Sequence, residues 1–398
     1  MESLIRKFRA PAGSFFLFGP RGTGKTTLLK GLLPEALRID LLSPEEHRNY
    51  LARPERLTDV LSANDDRDTI IVDEVQKVPT LLSVVHQAMD DNPRLRFILT
   101  GSSSRKLKRG GADMLAGRAI PTTLHPFLAA ELGERFDLER NLQLGMVPLV
   151  LAAKDPPGTL AGYVSIYLKE EVQEESLVRN VGDFARFLEA IAFSHASVLN
   201  TSEIARECAV NRKTVDAYIG ILEDLLLAFR VPVFSRRAKR NLIKHSKFYY
   251  FDCGVFRSVR PTGPLDRAEE MQGAALEGLV AQHLRAWIDY RGGRDRLYFW
   301  RTKGGLEVDF VVYGEDTFTA IEVKNGRRID PKDTRSLREF QADYPEASTC
   351  LLYRGAERID IAGIRCVPCS EYLSAIRPAQ ALGKRGTAPT QRRRSARS

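Results

Sequence analysis

Apolar and polar positions follow two periods along the first third of the chain. Short apolar runs, which predict buried strands, are separated by stretches with an apolar residue every three or four positions, which predict helices. The strand runs lie at Phe15–Phe18, Thr69–Val72, Arg94–Thr100 and Ala119–Leu124. Strands that alternate with helices pair in parallel, so this part of the chain predicts an α/β domain with a parallel sheet between helices.

The pattern then becomes helical and later mixed. Two helices, Glu203–Cys208 and Arg212–Leu227, are joined by a short turn, and Asn211 should cap the second, while Thr201 or Ser202 caps the first. Apolar strand runs follow, as in a winged helix. The chain is thus divided into an α/β core at 1–125, a helical lid or connector at 126–186, a winged helix at 187–260, a second α/β domain at 265–376 and a tail at 377–398.

A glycine-rich loop follows the first strand. It reads Gly19-Pro20-Arg21-Gly22-Thr23-Gly24-Lys25-Thr26, with Thr27 next in the helix that it opens. This is the Walker A pattern, in which backbone N–H groups surround phosphate oxygens and bulky side chains are excluded. We expect Lys25 to reach the β and γ phosphates and Thr26 to offer its hydroxyl to Mg²⁺. The loop therefore predicts ATP and Mg²⁺ as cofactors.

Two carboxylates end the strand run at Thr69–Val72, as in a Walker B sequence. Asp73 is expected to hold Mg²⁺ through water, and Glu74 to polarise the water that attacks the γ phosphate. A paired Asp-Glu at a strand end can also be solvated charge. Its position after a phosphate-binding loop favours the catalytic interpretation and predicts hydrolysis.

Two further residues are candidates for the same reaction. Ser102 follows the next strand in the Gly101–Ser104 turn, where an additional-strand ATPase places its sensor for the γ phosphate, although such a turn needs no function. Arg118 is a candidate arginine finger, inserted into the nucleotide site of a neighbouring subunit. A surface arginine is the alternative. This interpretation predicts a homo-oligomer, with a closed ring among its forms.

Basic residues in the region 187–260 are candidates for DNA contact. Arg212, Lys213, Asp216 and Tyr218 are expected on or near the exposed start of the second helix, which in DNA-binding versions enters the major groove. The loop between the two following strand runs supplies a basic wing: Arg236, Arg237, Lys239 and Arg240. The alternative is a docking or lid element whose loop charges are solvated.

A group of acids and a lysine occupies the fourth region. Glu277 lies in a helical pattern, Asp309 in one strand run, and Glu322 and Lys324 in the next. Asp309 and Glu322, with Glu277 as a further carboxylate, predict a site for Mg²⁺ at which Lys324 assists the nucleophile, as in metal nucleases. Alternating strands also expose a charge at every second residue, which explains Glu322 and Lys324 without any site.

Composition limits the other possibilities. The net charge is +9, but residues 377–398 hold seven Lys and Arg and no acid, so the remainder has 53 basic against 51 acidic residues. We expect that tail to be disordered. The sequence contains no apolar run of membrane-span length and no secretory signal, which predicts a cytoplasmic protein. The five cysteines do not suggest a disulfide framework, and Cys366 and Cys369 form only a weak candidate for zinc.

Taken together, these segments resemble a bacterial and archaeal family, the AAA-type ATPases joined to the C-terminal domain of unknown function 4143. The resemblance covers roughly residues 1–376. It is carried by Gly19–Thr26, Ile70–Gln76, Leu99–Ser103, Leu115–Arg118, and Glu307–Phe310 with Ile321–Lys324. It implies an ATPase core, a winged helix and a C-terminal fold similar to the PD-(D/E)xK nucleases. Val308 stands where that nuclease pattern has proline.

Two functions remain open at this point. One is an ATP-driven enzyme in which nucleotide state controls DNA binding and metal-dependent DNA cleavage. The other is a regulatory ATPase switch whose C-terminal domain is catalytically inactive and binds DNA or a protein partner.

Overall fold

A parallel sheet forms the first unit of the protein. The computed structural model describes residues 4–102, 115–167 and 181–382. The strands of the sheet are β1 (Phe15–Phe18), β2 (Leu37–Asp40), β3 (Thr69–Asp73), β4 (Arg96–Gly101) and β5 (Ile120–Thr123). They lie in the order β2–β3–β4–β1–β5, and every neighbouring pair is parallel. This confirms the predicted α/β class, and it places β4 between the strand that leads into the phosphate loop and the strand that ends in the carboxylates.

Both faces of this sheet are apolar, so both are covered. Phe16, Val72 and Leu99 belong to the core on one face, and Phe15 and Ile98 to the core on the other. The helices of this unit are α1 (Lys25–Leu32), α2 (Pro44–Ala52), α3 (Arg56–Ser62) and α4 (Leu81–Asp91).

A largely helical region follows. Its elements are α5 (Ala129–Leu132), α6 (Leu138–Leu144), α7 (Pro148–Leu151), α8 (Pro156–Gly162), a π-helix (Tyr163–Tyr167), α9 (Val181–Ala192), β6 (Ser197–Val198), α10 (Thr201–Glu207), α11 (Arg212–Asp224), β7 (Ala228–Val231), β8 (Lys247–Tyr250) and α12 (Cys253–Val259). The three strands form an antiparallel sheet in the order β6–β8–β7. Residues 168–180 of the predicted connector lie outside the described residues.

The caps of the two helices at 201–224 differ in part from those predicted. Asn200, rather than Thr201 or Ser202, caps α10, because its side chain accepts a hydrogen bond from the backbone N–H of Glu203 at 3.3 Å. Asn211 caps α11 as predicted and accepts from the N–H of Thr214 at 2.8 Å.

The loop between β7 and β8, predicted as a free basic wing, is docked on the last domain. The backbone N–H of Phe234 donates to the carbonyl of Phe299 at 2.7 Å, and that of Ile243 donates to Arg301 at 3.2 Å. Phe234 is almost fully buried in the core of the last domain. The loop thus covers an edge strand that would otherwise expose unpaired backbone groups.

The last domain is built on a six-stranded mixed sheet and one long buried helix. Its elements are α13 (Ala268–Tyr290), β9 (Arg296–Arg301), β10 (Glu307–Tyr313), β11 (Phe318–Lys324), α14 (Arg335–Asp343), β12 (Ser348–Tyr353), β13 (Ile359–Ile361), β14 (Ile364–Pro368) and α15 (Cys369–Ala375). The strand order is β13–β14–β12–β11–β10–β9. α13 shares one hydrophobic core with the helical region before it.

The start of the predicted tail is ordered. The indole N–H of Trp287 donates to the carbonyl of Gln380 at 3.0 Å and to that of Arg377 at 3.2 Å. Residues 377–382 therefore pack against α13, in contrast to the predicted disorder, and residues 383–398 lie outside the described part of the chain. Among the described helices, none combines the length and the hydropathy that a membrane span requires.

Candidate functional site

The phosphate loop has the backbone that its glycines predict. Gly22 and Gly24 have φ values of 82° and 87°, in the left-handed region that side chains disfavour. At Gly19 the reason for glycine is space, because a Cβ would lie 2.6 Å from the carbonyl oxygen of Leu124. Substitution at any of these three positions would deform the loop.

Lys25 and Thr26 meet the Walker B strand at the start of α1. The Lys25 ammonium donates to the carbonyl of Gly19 at 2.7 Å, across the loop. Thr26 Oγ1 donates to Asp73 Oδ2 at 2.6 Å, so the two predicted Mg²⁺ ligands are adjacent. A hydroxyl beside a carboxylate is a donor set that suits Mg²⁺, and these residues fit the ion.

Glu74 is held by residues that the sequence analysis did not single out for a role. Its φ of 57° is unusual for a residue with a side chain. Its backbone N–H donates to Thr100 Oγ1 at 3.0 Å, while the Thr100 hydroxyl donates to Asp73 Oδ1. The Gln76 amide donates to Glu74 Oε2 and also to Ser102 Oγ, the latter at 3.2 Å. Glu74 and Ser102 are therefore connected through Gln76, which lies two residues after the predicted base.

A cavity of about 910 Å³ opens beside this group. The loop residues from Arg21 to Thr27 line it, together with Glu74 and Ser102. Apolar side chains and three further arginines also line it: Leu4, Ile5, Arg6, Phe8, Phe127, Leu132, Arg135, Arg140, Leu149 and Leu151. A large, partly apolar cavity with a few polar groups at one end is typical of a nucleotide-sized ligand site.

Residues of the helical region bind two carbonyls of the phosphate loop. The backbone N–H of Leu149 donates to the carbonyl of Gly22 at 3.1 Å, and the Tyr163 hydroxyl donates to the carbonyl of Arg21 at 3.0 Å. From the other side, the Arg6 guanidinium donates to the carbonyl of Thr23 at 2.9 Å. The loop is therefore in contact with segments from two other parts of the chain.

Arg118, the predicted arginine finger, is not among the residues that line the cavity. It forms an ion pair with Asp90 of α4, and both side chains are partly exposed. In the Gly101–Ser104 turn after β4, Ser103 and Ser104 lie outside the described residues.

The predicted DNA-contact residues fall into two groups. Arg212 and Lys213 are exposed at the start of α11, with Asp216 beside them, whereas Tyr218 is buried against Phe184 and Phe187. Tyr218 thus differs from the prediction, because it lies on the core face of the helix.

In the docked loop, Arg240 is held by two acids of α14. Its guanidinium donates to Asp343 at 2.7 Å and to Glu339 at 2.8 Å. The Arg236 guanidinium lies over the ring of Tyr313 at 5.0 Å. Arg236, Arg237 and Lys239 remain exposed. Arg240 is therefore a structural contact of the loop, in contrast to the phosphate contact predicted for it.

The structure brings the predicted acids of the last domain together around a lysine that the sequence analysis missed. The register of β10 and β11 pairs Phe310 with Ile321, which sets Asp309 beside Glu322. Lys247, the first residue of β8, extends into this group. Its ammonium donates to Glu277 at 2.8 Å, Glu307 at 2.5 Å and Asp309 at 3.1 Å.

These close charges shift the titration of the group. Burial opposes the charge of Lys247, but the surrounding carboxylates outweigh it and hold the pKa of the ammonium well above its usual range. Burial, with the charge of Asp309, raises the pKa of Glu277 to about 7 and also raises that of Glu322. Lys324 donates to Glu322 at 2.6 Å.

The predicted divalent-metal centre has a lysine ammonium in direct contact with two of its carboxylates, Glu277 and Asp309. Both oxygens of Asp309 are engaged, one by Lys247 and the other by the backbone N–H of Val323 at 2.9 Å. One oxygen of Glu322 accepts from Lys324. In residues 4–102, 115–167 and 181–382, no three or more His, Cys, Asp or Glu side chains are arranged to hold a metal ion, and that includes Cys366 and Cys369.

Comparison with known families divides the chain into three parts. The family described as AAA domain matches residues 12–133, a domain of unknown function (DUF8612) matches residues 135–266, and a domain of unknown function (DUF4143) matches residues 272–372. Segments similar to an AAA domain and to a DUF4143 domain therefore lie on one chain, and the residues that line the cavity described above belong largely to the first. One family spans most of the region that the sequence analysis divides at residue 186.

Two relatives of the chain are described as uncharacterized proteins. An uncharacterized protein of Mycobacterium tuberculosis is 27% identical over 377 residues, which cover 92% of this chain and 82% of that protein. An uncharacterized protein of Haemophilus influenzae is 18% identical over 331 residues, 79% of each chain.

Two solved structures show remote likeness to the chain. The replication initiator DnaA bound to AMPPCP and single-stranded DNA gives a TM-score of 0.26 at 14% identity, over 53% of this chain and 82% of that chain. A protein from Vibrio cholerae gives 0.22 at 12% identity, over 92% of this chain and 96% of that chain. These scores are too low to establish a shared fold.

Proposed function

We propose that this protein binds and hydrolyses ATP with Mg²⁺, and that it acts as a nucleotide-controlled switch. The observation that carries the proposal is the contact network at the end of β3 and β4. Asp73 bridges Thr26 and Thr100, and Thr100 in turn fixes the backbone of Glu74. Chemistry on a γ phosphate needs positioned groups more than covalent ones, and this network positions them beside a nucleotide-sized cavity.

Each residue of the network has a part in this reaction. Lys25 supplies positive charge to the β and γ phosphates, and Glu74 accepts hydrogen bonding from the attacking water and orients it. Thr26 and Asp73 would hold Mg²⁺, which supplies charge stabilisation for the transferred phosphoryl group. Ser102 is connected to Glu74 through Gln76, so it is suited to sense whether the γ phosphate is present.

The switch follows from what contacts the loop. The backbone N–H of Leu149 and the hydroxyl of Tyr163 donate to the carbonyls of Gly22 and Arg21 in the loop. A change in the loop on loss of the γ phosphate therefore reaches the helical region directly. The loop and the helical region then have two arrangements, one favoured by ATP and one by ADP. The shift between their populations is set by the difference in affinity of the two arrangements for each nucleotide.

Two variants test hydrolysis against binding. Lys25→Ala should abolish tight ATP binding, because the phosphates lose their cation. Glu74→Gln should keep ATP affinity within a few-fold and reduce turnover by roughly 100-fold or more, because only the water-orienting carboxylate is lost. Calorimetry measures binding and phosphate release measures turnover. Wild-type turnover by Glu74→Gln protein would exclude Glu74 as the base.

DNA is the second candidate ligand, favoured by the exposed Arg212 and Lys213 at the start of α11. A cation pair at the exposed start of a second helix is the arrangement that winged helices use for phosphate and groove contact. The double variant Arg212→Ala/Lys213→Ala should weaken duplex binding and reduce its salt dependence. Arg240→Ala is the matched control, since Arg240 is held by Asp343 and Glu339. Equal losses in both variants would contradict the assignment.

A further inference from the structure

The buried lysine of β8 has all of its hydrogen bonds directed at acids of the last domain. An ammonium has three N–H donors. The Lys247 ammonium lies within 3.1 Å of Glu277, Glu307 and Asp309, and its side chain is 1% exposed. The lysine therefore contributes one charge to a pocket that contains three carboxylates around a single point.

The second oxygens of two of these acids are directed elsewhere. The second oxygen of Asp309 accepts from the backbone of β11, and the second oxygen of Glu307 pairs with Arg301 at 3.1 Å. The Tyr249 hydroxyl donates at 2.6 Å to Oε1 of Glu277, the same oxygen that accepts from Lys247. Only Glu322 retains a buried carboxylate oxygen, Oε2, for which the described residues supply no hydrogen-bond partner.

The backbone fixes Lys247 in this place. β8 is the central strand of its sheet, and Lys247 pairs with Val198 on one side and Val231 on the other. The ring of Phe299 lies 5.5 Å from the ammonium. Pairing on both sides fixes the backbone of Lys247 inside the sheet, so its side chain starts from a fixed point beside the acids.

We propose that the Lys247 ammonium is the resident cation of this carboxylate cluster, that it occupies the place a divalent ion would need, and that it fastens β8 to α13 and β10. A divalent ion at the same carboxylates would lie next to a fixed positive charge in a dry pocket, where like charges repel strongly. The DUF4143 domain of this protein therefore takes no Mg²⁺ or Mn²⁺ at Asp309 and Glu322. This inference is independent of ATP hydrolysis.

The experiment counts bound Mn²⁺ in the nucleotide-free, full-length protein. Wild type and Asp309→Asn should bind the same number of ions, because the lysine already occupies the site. Lys247→Met removes the cation but keeps an apolar chain of similar length, and it should bind one more Mn²⁺ per chain than wild type. Lys247→Met/Asp309→Asn should lose that ion. Lys154→Met, at an exposed lysine of the helical region, is the matched control and should behave as wild type.

Stability provides the second measurement. Lys247→Met leaves buried carboxylates without a counter-charge, so its melting temperature should fall and Mn²⁺ should restore it, with no such rescue in the Asp309→Asn double variant. If Lys247→Met does not fold, the double variant Lys247→Met/Glu277→Gln replaces it. This variant removes one positive and one negative charge, and it should also bind an additional Mn²⁺ and be stabilised by it. Loss of a bound Mn²⁺ in Asp309→Asn relative to wild type would overturn the proposal. So would a folded Lys247 variant that binds no additional ion.

Discussion

Thr100 shows how much of the phosphate site depends on a single hydroxyl. It is fully buried, it donates to Asp73 and it accepts from the backbone N–H of Glu74. It therefore links the predicted metal-binding carboxylate to the residue whose backbone has a left-handed conformation. A hydroxyl that satisfies two buried polar groups at once has no substitute in an apolar side chain.

Thr100→Val should damage both stability and turnover, because it keeps the shape and removes the hydroxyl. We expect the free energy of unfolding to fall by about 1–3 kcal/mol, the usual consequence of leaving buried groups unpaired. Turnover should fall about 10-fold or more as Glu74 loses its fixed position. Thr100→Ser keeps the hydroxyl and should stay close to wild type. Denaturant titration and phosphate release check the two effects, and equal behaviour of Val and Ser would contradict them.

Glu277 gives a pH dependence of stability. Lys247 and Tyr249 face it from β8, and Glu307 and Asp309 belong to the same group on β10. Burial raises its pKa from the usual 4.5 to about 7, so between these values the folded protein binds more protons than the unfolded chain. Its contribution to stability is present below about pH 4.5 and is lost as the pH rises through 7.

Glu277→Gln should therefore flatten the pH profile. The difference in unfolding free energy between wild type and variant should change by up to about 3 kcal/mol across this range, with wild type losing more as pH rises. Glutamine keeps an acceptor for Lys247 and Tyr249. Denaturant titration at several pH values measures the difference, and parallel profiles would show that Glu277 does not titrate there.

At the scale of elements, α13 connects the carboxylate cluster around Lys247 to the parallel sheet that holds the phosphate loop. Glu277 lies near its middle and Asp289 near its end, about 18 Å apart at the helical rise. Asp289 Oδ2 lies 2.6 Å from Nε2 of His125, which is the second residue after the end of β5. Burial lowers the pKa of His125, and the hydrogen bond with Asp289 opposes that shift. One helix thus contacts both the edge of the AAA domain and the carboxylate cluster.

A double-mutant cycle tests this contact. His125→Ala and Asp289→Ala should each destabilise the protein, and together by less than the sum, with a coupling energy of about 0.5–3 kcal/mol. Asp289→Asn keeps an oxygen that can accept from the neutral imidazole and should cost less than Asp289→Ala. Strict additivity of the two alanine variants would show that the contact carries no energy.

The elements also show which features the sequence could predict. The phosphate loop and the Asp73-Glu74 pair were predicted because each lies in one short contiguous segment with a fixed backbone requirement. The docking of the 232–243 loop was not, since it depends on strand pairing with β9, far along the chain. Lys247 was missed for a related reason: a lysine at the start of an apolar strand has the pattern of a solvent-facing residue. Its partners lie on α13 and β10, and nothing in the sequence pattern of either element indicates that it faces β8.

At the scale of the whole molecule, Arg118 remains the candidate for contact between chains. Its pairing with Asp90 is partly exposed, so a neighbouring subunit can replace it. We expect Arg118→Ala to lower turnover about 10-fold or more with little change in ATP affinity, and wild-type turnover per chain to rise with protein concentration. Asp90→Ala is the matched control, because it frees Arg118 without removing it. Sedimentation that shows a fully active monomer would exclude the finger.

The Lys247 contacts have a consequence for synthesis. The lysine leaves the ribosome before every one of its acidic partners, and 62 residues separate it from the last of them, Asp309. At about 5–20 residues per second this interval lasts roughly 3–12 s. During it the lysine lacks its full set of carboxylates, and burying it without them would be strongly unfavourable. The nascent helical region therefore keeps this strand open to solvent, and to chaperones, until the last domain has been translated.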